Sequence, residues 1–127
     1  MVSIVLADDD VDVAAFMSYS LEVAGHHVRT AFDGLGALDL VRQERPDLVV
    51  LDHSMPGLTG LEVAAALRAD PGTAGLLVLM ISGRDLGTEA AIVDRVVRKP
   101  LRPRQLAVLM VDILRDVQGY SGRRDSA

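Results

Sequence analysis

The sequence predicts an α/β domain with a parallel five-stranded sheet, because short apolar runs alternate with segments of helical periodicity. Three of these runs end directly in charged side chains: residues 4–7 lead into Asp8, Asp9 and Asp10, residues 48–51 into Asp52, and residues 96–97 into Arg98 and Lys99. The carboxyl ends of parallel strands meet at one edge of a sheet, where ligands usually bind. These charged residues are therefore expected to share one crevice.

The composition limits the class of protein. A chain of 127 residues is the size of one domain, and its 50% hydrophobic and 24% charged content is typical of a soluble globular protein. With 3% aromatic residues and no tryptophan, the core is expected to be aliphatic. The absence of cysteine excludes disulfides and thiolate metal sites, and the net charge of −5 argues against nonspecific nucleic-acid binding. Without an apolar stretch of membrane-spanning length or a signal-peptide pattern, we expect a cytoplasmic protein that does not contact membranes.

The first half of the chain is predicted to form strands at 4–7, 27–31 and 48–51 and helices at 11–24 and 34–44. The continuous apolar character of 4–7 indicates a strand buried on both faces, whereas the weaker run at 27–31 indicates a strand near an edge. Asp10 is placed to cap the first helix and Gly25 to end it. Pro46 stops the second helix.

The second half is predicted to contain a helix at 60–69, a strand at 76–81, a short helix at 88–92, a strand at 96–98 and a last helix at 103–117. Pro56-Gly57 marks a turn before the first of these helices, and Asp70-Pro71-Gly72 ends it. An apolar stripe marks the last helix: Leu106, Leu109, Met110, Ile113, Leu114 and Val117. We expect one domain over residues 1–118 and a polar tail over 119–127.

The candidate site combines three carboxylates, those of Asp8, Asp9 and Asp52, with Lys99, which is the one lysine of the chain. Two carboxylates about 4 Å apart repel by roughly 4 kcal/mol at an effective dielectric constant near 20, so a crowded group needs a cation. Oxygen ligands without cysteine or suitably spaced histidine favour Mg²⁺. Such a site suits phosphoryl transfer to a carboxylate. Asp10 is interpreted only as a helix cap.

Each of these motifs is unremarkable by itself, since acidic residues commonly cap helices and Lys99-Pro100 or Ser82-Gly83 could be ordinary turns. The informative feature is their order: an acid pair, an acid, a hydroxyl and a lysine each follow a different strand. In this order the chain resembles a response-regulator receiver domain, the phosphoacceptor half of bacterial two-component signalling. The matching stretches are IVLADDD at 4–10, DLVVLDHSMPGLTGLE at 47–62, LRADP at 67–71, LVLMISG at 77–83 and RKPL at 98–101.

The resemblance implies a flavodoxin-like fold with strand order 2-1-3-4-5 and helices on both faces, and the short segment between Ser82 and Lys99 predicts a shortened fourth helix region in this chain. It implies a role for each site residue: Asp52 as phosphoacceptor, Asp9 as a direct Mg²⁺ ligand, Asp8 as a ligand largely through water, the Ser54 carbonyl as a third protein ligand, Lys99 as partner of a phosphoryl oxygen and Ser82 as the hydroxyl that moves toward the phosphate. The Lys99-Pro100 bond is expected to be cis. The implied partners are a sensor histidine kinase or a histidine phosphotransfer protein, an output protein that the sequence does not name, and a second copy of the chain in a possible homodimer.

The chain departs from the family pattern between Ser82 and Lys99. Val96 stands where the family usually has an aromatic switch residue, and the segment is several residues shorter than usual. His53 and Arg84 flank the site and are interpreted as exposed loop residues, with an influence on phosphate lifetime as the alternative.

Two other functions stay open from the sequence. One is a binding module that keeps the fold but signals without phosphate. The other is a Mg²⁺-dependent phosphatase of the haloacid-dehalogenase type, which ranks lower because Ser54 stands where that class has a second aspartate.

Overall fold

The computed structural model describes residues 2–102 together with residues 105, 108, 109 and 112. The strands are β1 (Ser3–Ala7), β2 (His27–Ala31), β3 (Leu48–Asp52), β4 (Leu77–Ser82) and β5 (Arg95–Arg98). The α-helices are α1 (Val11–Val23), α2 (Gly34–Glu44) and α3 (Gly60–Ala69), and a 3₁₀ helix (Gly87–Ile92) precedes β5. Within the described residues, no helix is both long enough and apolar enough to cross a membrane.

The five strands form one parallel sheet in the order β2-β1-β3-β4-β5, which confirms the predicted fold class. Strands β1, β3 and β4 occupy the centre and are apolar and buried almost throughout, as expected for strands covered on both faces. Strand β2 is an edge strand with alternating exposure, as its weaker apolar run predicts. Because the sheet is parallel, all five strands end at the same edge.

Side chains that alternate along the central strands form a core on each face of the sheet. One core contains Val5, Val49 and Val78 with buried residues of α2 and α3, and the other contains Ile4, Val50 and Leu79 with Met17 and Leu21 of α1. The helices therefore cover both faces, as predicted. The described cores are aliphatic, and the described aromatic residues, Phe16, Tyr19 and Phe32, are exposed.

Side-chain caps fix where the helices begin. Asp10 accepts hydrogen bonds from the backbone N–H groups of Asp12 and Val13, which confirms its predicted role as the cap of α1. Thr59 and Glu62 form a reciprocal capping box at the start of α3, a feature that the sequence interpretation missed.

The connection between β4 and β5 is shortened as predicted, and it contains a 3₁₀ helix in place of a full α-helix. Arg68 of α3 holds the far end of this connection. Its guanidinium donates to the carbonyls of Ala74, Leu76 and Ile92 at 2.6–2.9 Å and to Asp94 Oδ2 at 2.9 Å. The same Asp94 oxygen accepts a hydrogen bond from Val78 N at 2.7 Å, so α3, β4 and the start of β5 are tied together.

The predicted elements agree with the structure to within one residue at most ends. The exception is one of type: the short helix predicted at 88–92 is a 3₁₀ helix, Gly87–Ile92. The predicted last helix at 103–117 lies largely outside the described residues, although the four residues described within it are helical. The predicted tail at 119–127 and the domain boundary before it lie entirely outside them.

Candidate functional site

The strand ends bring the predicted site residues to one edge of the sheet. Asp8 follows β1, Asp52 is the last residue of β3, Ser82 is the last residue of β4 and Lys99 follows β5. Their positions follow from strand register, since Asp52 pairs with Ile81 of β4 and Ser82 pairs with Arg98 of β5. The parallel arrangement thus supplies acid, hydroxyl and amine from four separate strands.

Three carboxylates form a compact cluster at this edge of the sheet. Asp8, Asp9 and Asp52 each offer an oxygen, and these oxygens all lie within 4.8 Å of one another. Asp8 and Asp52 are buried, with 4% and 3% of their surface exposed, whereas Asp9 faces solvent. Asp8 Oδ1 is oriented by a 2.9 Å hydrogen bond from the backbone N–H of Asp10.

The cluster is electrostatically costly for Asp8. Burial, the largest cause, raises the pKa of its carboxyl above the ordinary value, the hydrogen bond from Asp10 N opposes this, and the nearby charge of Asp52 raises it further. A cation bound among the three oxygens would remove the repulsion. The set consists only of oxygen donors, so it fits Mg²⁺ better than a metal that prefers nitrogen or sulfur.

Lys99 supplies the positive charge that faces Asp52. Its Nζ lies 2.9 Å from Asp52 Oδ1. This distance is that of a close ion pair, and it places the ammonium directly against an oxygen that is otherwise buried. Burial by itself lowers the pKa of Lys99, but contact with Asp52 and the charges of Asp8 and Asp9 outweigh it, and the pKa is raised. The ammonium is therefore retained at neutral pH.

An open cleft of about 910 Å³ contains most of the predicted site. Its lining includes Asp8, Asp9, Asp52, Ser54 and Lys99. Ser82 is not part of that lining, although both of its neighbours, Ile81 and Gly83, are. The Ser82 hydroxyl instead donates to the Arg84 carbonyl at 2.8 Å and accepts from the Arg84 N–H at 3.1 Å.

The burial of His53 differs from what the sequence predicts. This residue was expected to be an exposed loop residue, but it is buried, because the backbone that follows β3 pairs with its neighbours: His53 N donates to Ile81 O, and Gly60 N donates to His53 O. Arg84 is exposed as expected, and one of its Nη atoms lies 3.4 Å from His53 Nε2. The sequence contains no local signal for this contact.

The segment before Lys99 shows how the chain departs from the family pattern. Val96 is 37% exposed, so an aliphatic side chain stands at the surface where an aromatic ring is usual. The Lys99-Pro100 peptide bond is cis, as the resemblance implied, and Lys99 N donates to Ser82 O at 2.8 Å.

Comparisons with known proteins agree on one family. A family model described as the response regulator receiver domain matches residues 4–110. The chain is 38% identical over 130 residues to the response regulator MprA of Mycolicibacterium vanbaalenii, covering 99% of this chain and 56% of MprA. It is 35% identical over 133 residues to the transcriptional regulatory protein AfsQ1 of Streptomyces coelicolor, covering 100% of this chain and 56% of AfsQ1. The chain therefore spans about half the length of these curated relatives.

Solved structures show the same fold. The chemotaxis response regulator CheY4 of Vibrio cholerae superimposes with a TM-score of 0.81 at 28% identity, covering 92% of this chain and 98% of CheY4. The response regulator protein TrrA of Thermotoga maritima, in complex with Mg²⁺ and BeF, gives a TM-score of 0.79 at 25% identity, covering 88% of this chain and 98% of TrrA.

Proposed function

The chain belongs to the response regulator receiver domain family, and from this we propose that it is a switch that accepts a phosphoryl group on Asp52. The observation that carries the proposal is the position of Asp52. Its carboxylate is buried at the end of β3, with Lys99 Nζ 2.9 Å from Oδ1 and the carboxylates of Asp8 and Asp9 beside it.

The chemical step is a transfer between a phosphohistidine and a carboxylate. An oxygen of Asp52 forms a bond to phosphorus, the P–N bond to the donor histidine breaks, and that imidazole leaves with the bonding electron pair and takes up a proton. The product is an aspartyl phosphate. Lys99 stabilises the negative charge on the phosphoryl oxygens, because its ammonium already faces the accepting carboxylate.

Asp8, Asp9 and Asp52 would hold the Mg²⁺ that the family implies, together with the backbone carbonyl of Ser54. When bound, the ion neutralises charge that develops on phosphate oxygens. Three observations support this: the oxygen-only donor set, the raised pKa of Asp8, and a relative, TrrA, that was solved with Mg²⁺ and BeF.

The consequence of phosphorylation is a change in binding to other proteins. A phosphoryl group brings the charge at Asp52 close to −2 and adds strong acceptor oxygens, which favour any arrangement that brings Ser82 and Lys99 nearer.

We propose a sensor histidine kinase or a histidine phosphotransfer protein as the phosphodonor. The output partner is a protein or a further copy of this chain.

The test is incubation with Mg²⁺ and acetyl phosphate, followed by mass analysis of the intact protein and of its peptides. We expect one added phosphoryl group on Asp52, lost in Asp52→Asn and unchanged in Asp47→Asn, a matched aspartate at the opposite end of β3. No addition to the wild type would refute the proposal. Steady release of phosphate from a generic ester would instead indicate the phosphatase alternative.

A second function, a binding module that signals without phosphate, is favoured by one observation. Val96 cannot report a movement of Ser82 by rotating a ring, and it lies exposed on β5. This alternative predicts that a phosphorylated chain has amide NMR signals that change only at the site itself, and not in the segment between β4 and β5.

A further inference from the structure

The hydroxyl of Ser82 is hydrogen-bonded to the backbone of Arg84, two positions further along the chain. It donates its single proton to the Arg84 carbonyl at 2.8 Å and accepts from the Arg84 N–H at 3.1 Å. A hydroxyl with one proton cannot donate at the same time to an oxygen of a phosphoryl group on Asp52. Ser82 must therefore give up its hydrogen bond to the Arg84 carbonyl before it can donate to such a group.

The side chain of Arg84 makes three contacts with neighbouring residues. One Nη atom lies 3.4 Å from His53 Nε2 and 3.6 Å from Glu89 Oε2, and the other donates to the Asp85 carbonyl at 3.3 Å. A guanidinium only donates, so His53 Nε2 is the acceptor and the ring proton is assigned to Nδ1. Because His53 directly follows Asp52, this contact joins the residue beside the acceptor carboxylate to the turn that engages Ser82.

The contacts at the two ends of the connection between β4 and β5 differ in strength. At the far end, next to β5, Arg68 contacts Ile92 O at 2.8 Å and Asp94 Oδ2 at 2.9 Å from a largely buried position. At the near end, the Arg84 contacts are longer, and the pair with Glu89 is about 60% exposed on both sides. Exposed ion pairs of this kind contribute little, so the side chain of Arg84 is held less firmly than that of Arg68.

Two glycines flank this near end. Gly83 has open space where a Cβ would lie, and Gly87 has a φ of +59°, a conformation that suits glycine. Between them Leu86 is buried in the core, and Gly87 N donates to Asp85 Oδ1 at 2.9 Å, so the start of the 3₁₀ helix is held in place. Gly83 O accepts one exposed hydrogen bond, from Arg98 Nη2 at 3.2 Å, so a change of the backbone is expected to centre on Gly83 and Arg84.

We propose that Arg84 is a positioning residue for Ser82, and that its contact with His53 and the binding of a phosphoryl group by Ser82 exclude each other. This inference rests on the proposed function. Coupling of this kind is reciprocal: a phosphoryl group that draws Ser82 away weakens the contact between Arg84 and His53, and loss of that contact favours phosphoryl binding. In this chain, the coupling between Ser82, Arg84 and His53 takes the place of the aromatic ring rotation that Val96 is unable to provide.

The first test follows the His53 ring and the Arg84 Nε–H group by NMR before and after treatment with Mg²⁺ and acetyl phosphate, with mass analysis of the same sample. We expect both sets of signals to shift on phosphorylation while the Arg68 Nε–H signal stays in place. A sample that carries one phosphoryl group but shows unchanged His53 and Arg84 signals would overturn the inference. If the proposed function itself were wrong, the measured mass would show no added phosphoryl group, so the two failures can be told apart.

The second test uses a variant that carries no phosphoryl group and compares it with the wild type in both states. Ser82→Ala removes both hydrogen bonds to the Arg84 backbone, so the His53 ring signals of the free variant are expected to move in the direction seen on phosphorylation. Unchanged His53 signals in this variant would contradict the inference, whatever the outcome of phosphorylation.

The third test depends on whether a substitution raises or lowers the affinity for beryllofluoride. Arg84→Ala should raise the apparent affinity for beryllofluoride, measured with excess Mg²⁺, roughly two- to five-fold, because a competing contact of the strength of an exposed ion pair is lost. If Arg84 simply attracted anions, the same variant would bind beryllofluoride more weakly, and that result would refute the positioning role. The matched control is Arg29→Ala. Arg29 lies on β2, is similarly exposed and pairs with Glu44 of α2, so its loss should leave the affinity unchanged.

Discussion

Lys99 Nζ lies 2.9 Å from Asp52 Oδ1, in a pair whose two side chains differ in environment: that of Asp52 is 3% exposed and that of Lys99 is 41% exposed. The carboxylate is fixed within the end of the sheet, whereas the ammonium reaches it from the loop after β5. The carboxylate is therefore enclosed, while its counter-charge reaches solvent. In the proposed function, the ammonium would exchange a carboxylate oxygen for a phosphoryl oxygen.

The first prediction concerns the charge of Lys99. Lys99→Ala should slow phosphorylation by acetyl phosphate roughly a hundredfold, the usual cost of removing one group that stabilises developing negative charge. Lys99→Arg should recover only part of the rate, because a planar guanidinium is a poor substitute for a compact ammonium in a confined site. The rates are measured by intact mass against time. An alanine variant as fast as the wild type would show that Lys99 does not act on the phosphoryl group.

The second prediction concerns the metal. Mg²⁺ should stabilise the wild type by roughly 3 kcal/mol when its free concentration exceeds the Kd a hundredfold, and a chelator should reverse the gain. Asp9→Asn should lose most of this gain, whereas Asp10→Asn should keep it, since asparagine caps a helix as well as aspartate does. Thermal unfolding with and without Mg²⁺ measures the difference. Equal gains in the wild type and Asp9→Asn would exclude Asp9 as a ligand.

The fold and the location of the site could be predicted because both depend on local patterns. Apolar runs define the strands, and the charged residue after each run is placed at the sheet edge by the parallel topology itself. The contact of His53 with Arg84 and the contacts of Arg68 with Ile92 and Asp94 could not be predicted in this way. They depend on how an unusually short connection crosses from β4 to β5, and no repeating pattern encodes that path. The capping box of Thr59 and Glu62 was readable from their spacing and was overlooked.

The third prediction concerns the close packing of Gly60 against the site. A Cβ at this position would lie 2.5 Å from Met80 Sδ, 2.8 Å from the Asp52 carbonyl oxygen and 2.9 Å from His53 Cα. Two of these atoms belong to the backbone, so Gly60→Ala should lower the free energy of unfolding by about 1–3 kcal/mol despite the better helix propensity of alanine. Gly72→Ala, whose Cβ would meet only Asp70 Oδ1 at 3.5 Å, is the control. Denaturant unfolding compares the two, and equal stabilities would show that the helix can shift to make room.

The fourth prediction concerns Arg68. Arg68→Met should lower the free energy of unfolding by about 2–3 kcal/mol, because Asp94 and several carbonyls lose a charged donor while part of the apolar stem is kept. Arg29→Met removes one exposed contact at 3.4 Å with Glu44 and should cost less than about 1 kcal/mol. Hydrogen exchange of the Asp94 amide, which donates to Val78 O, should accelerate selectively in Arg68→Met. Uniform acceleration across the sheet would indicate global destabilisation instead.

The last prediction is a pH dependence that arises from His26, far from the site. Its ring is buried, its Nδ1 accepts a 3.3 Å hydrogen bond from Val2 N, and burial lowers its pKa below the ordinary value of 6.5. Below that value the unfolded chain binds a proton at His26 that the folded chain resists, so the free energy of unfolding falls as the pH falls from 6.5 through the lowered pKa. His26→Asn, which keeps an acceptor for Val2 N, should remove this component of the pH dependence, whereas His27→Asn at an exposed position should retain it. Denaturant unfolding between neutral pH and about pH 5 measures the slopes. Identical slopes in the wild type and His26→Asn would show that protonation of His26 is not coupled to folding, because linkage requires a slope wherever the two states bind different numbers of protons.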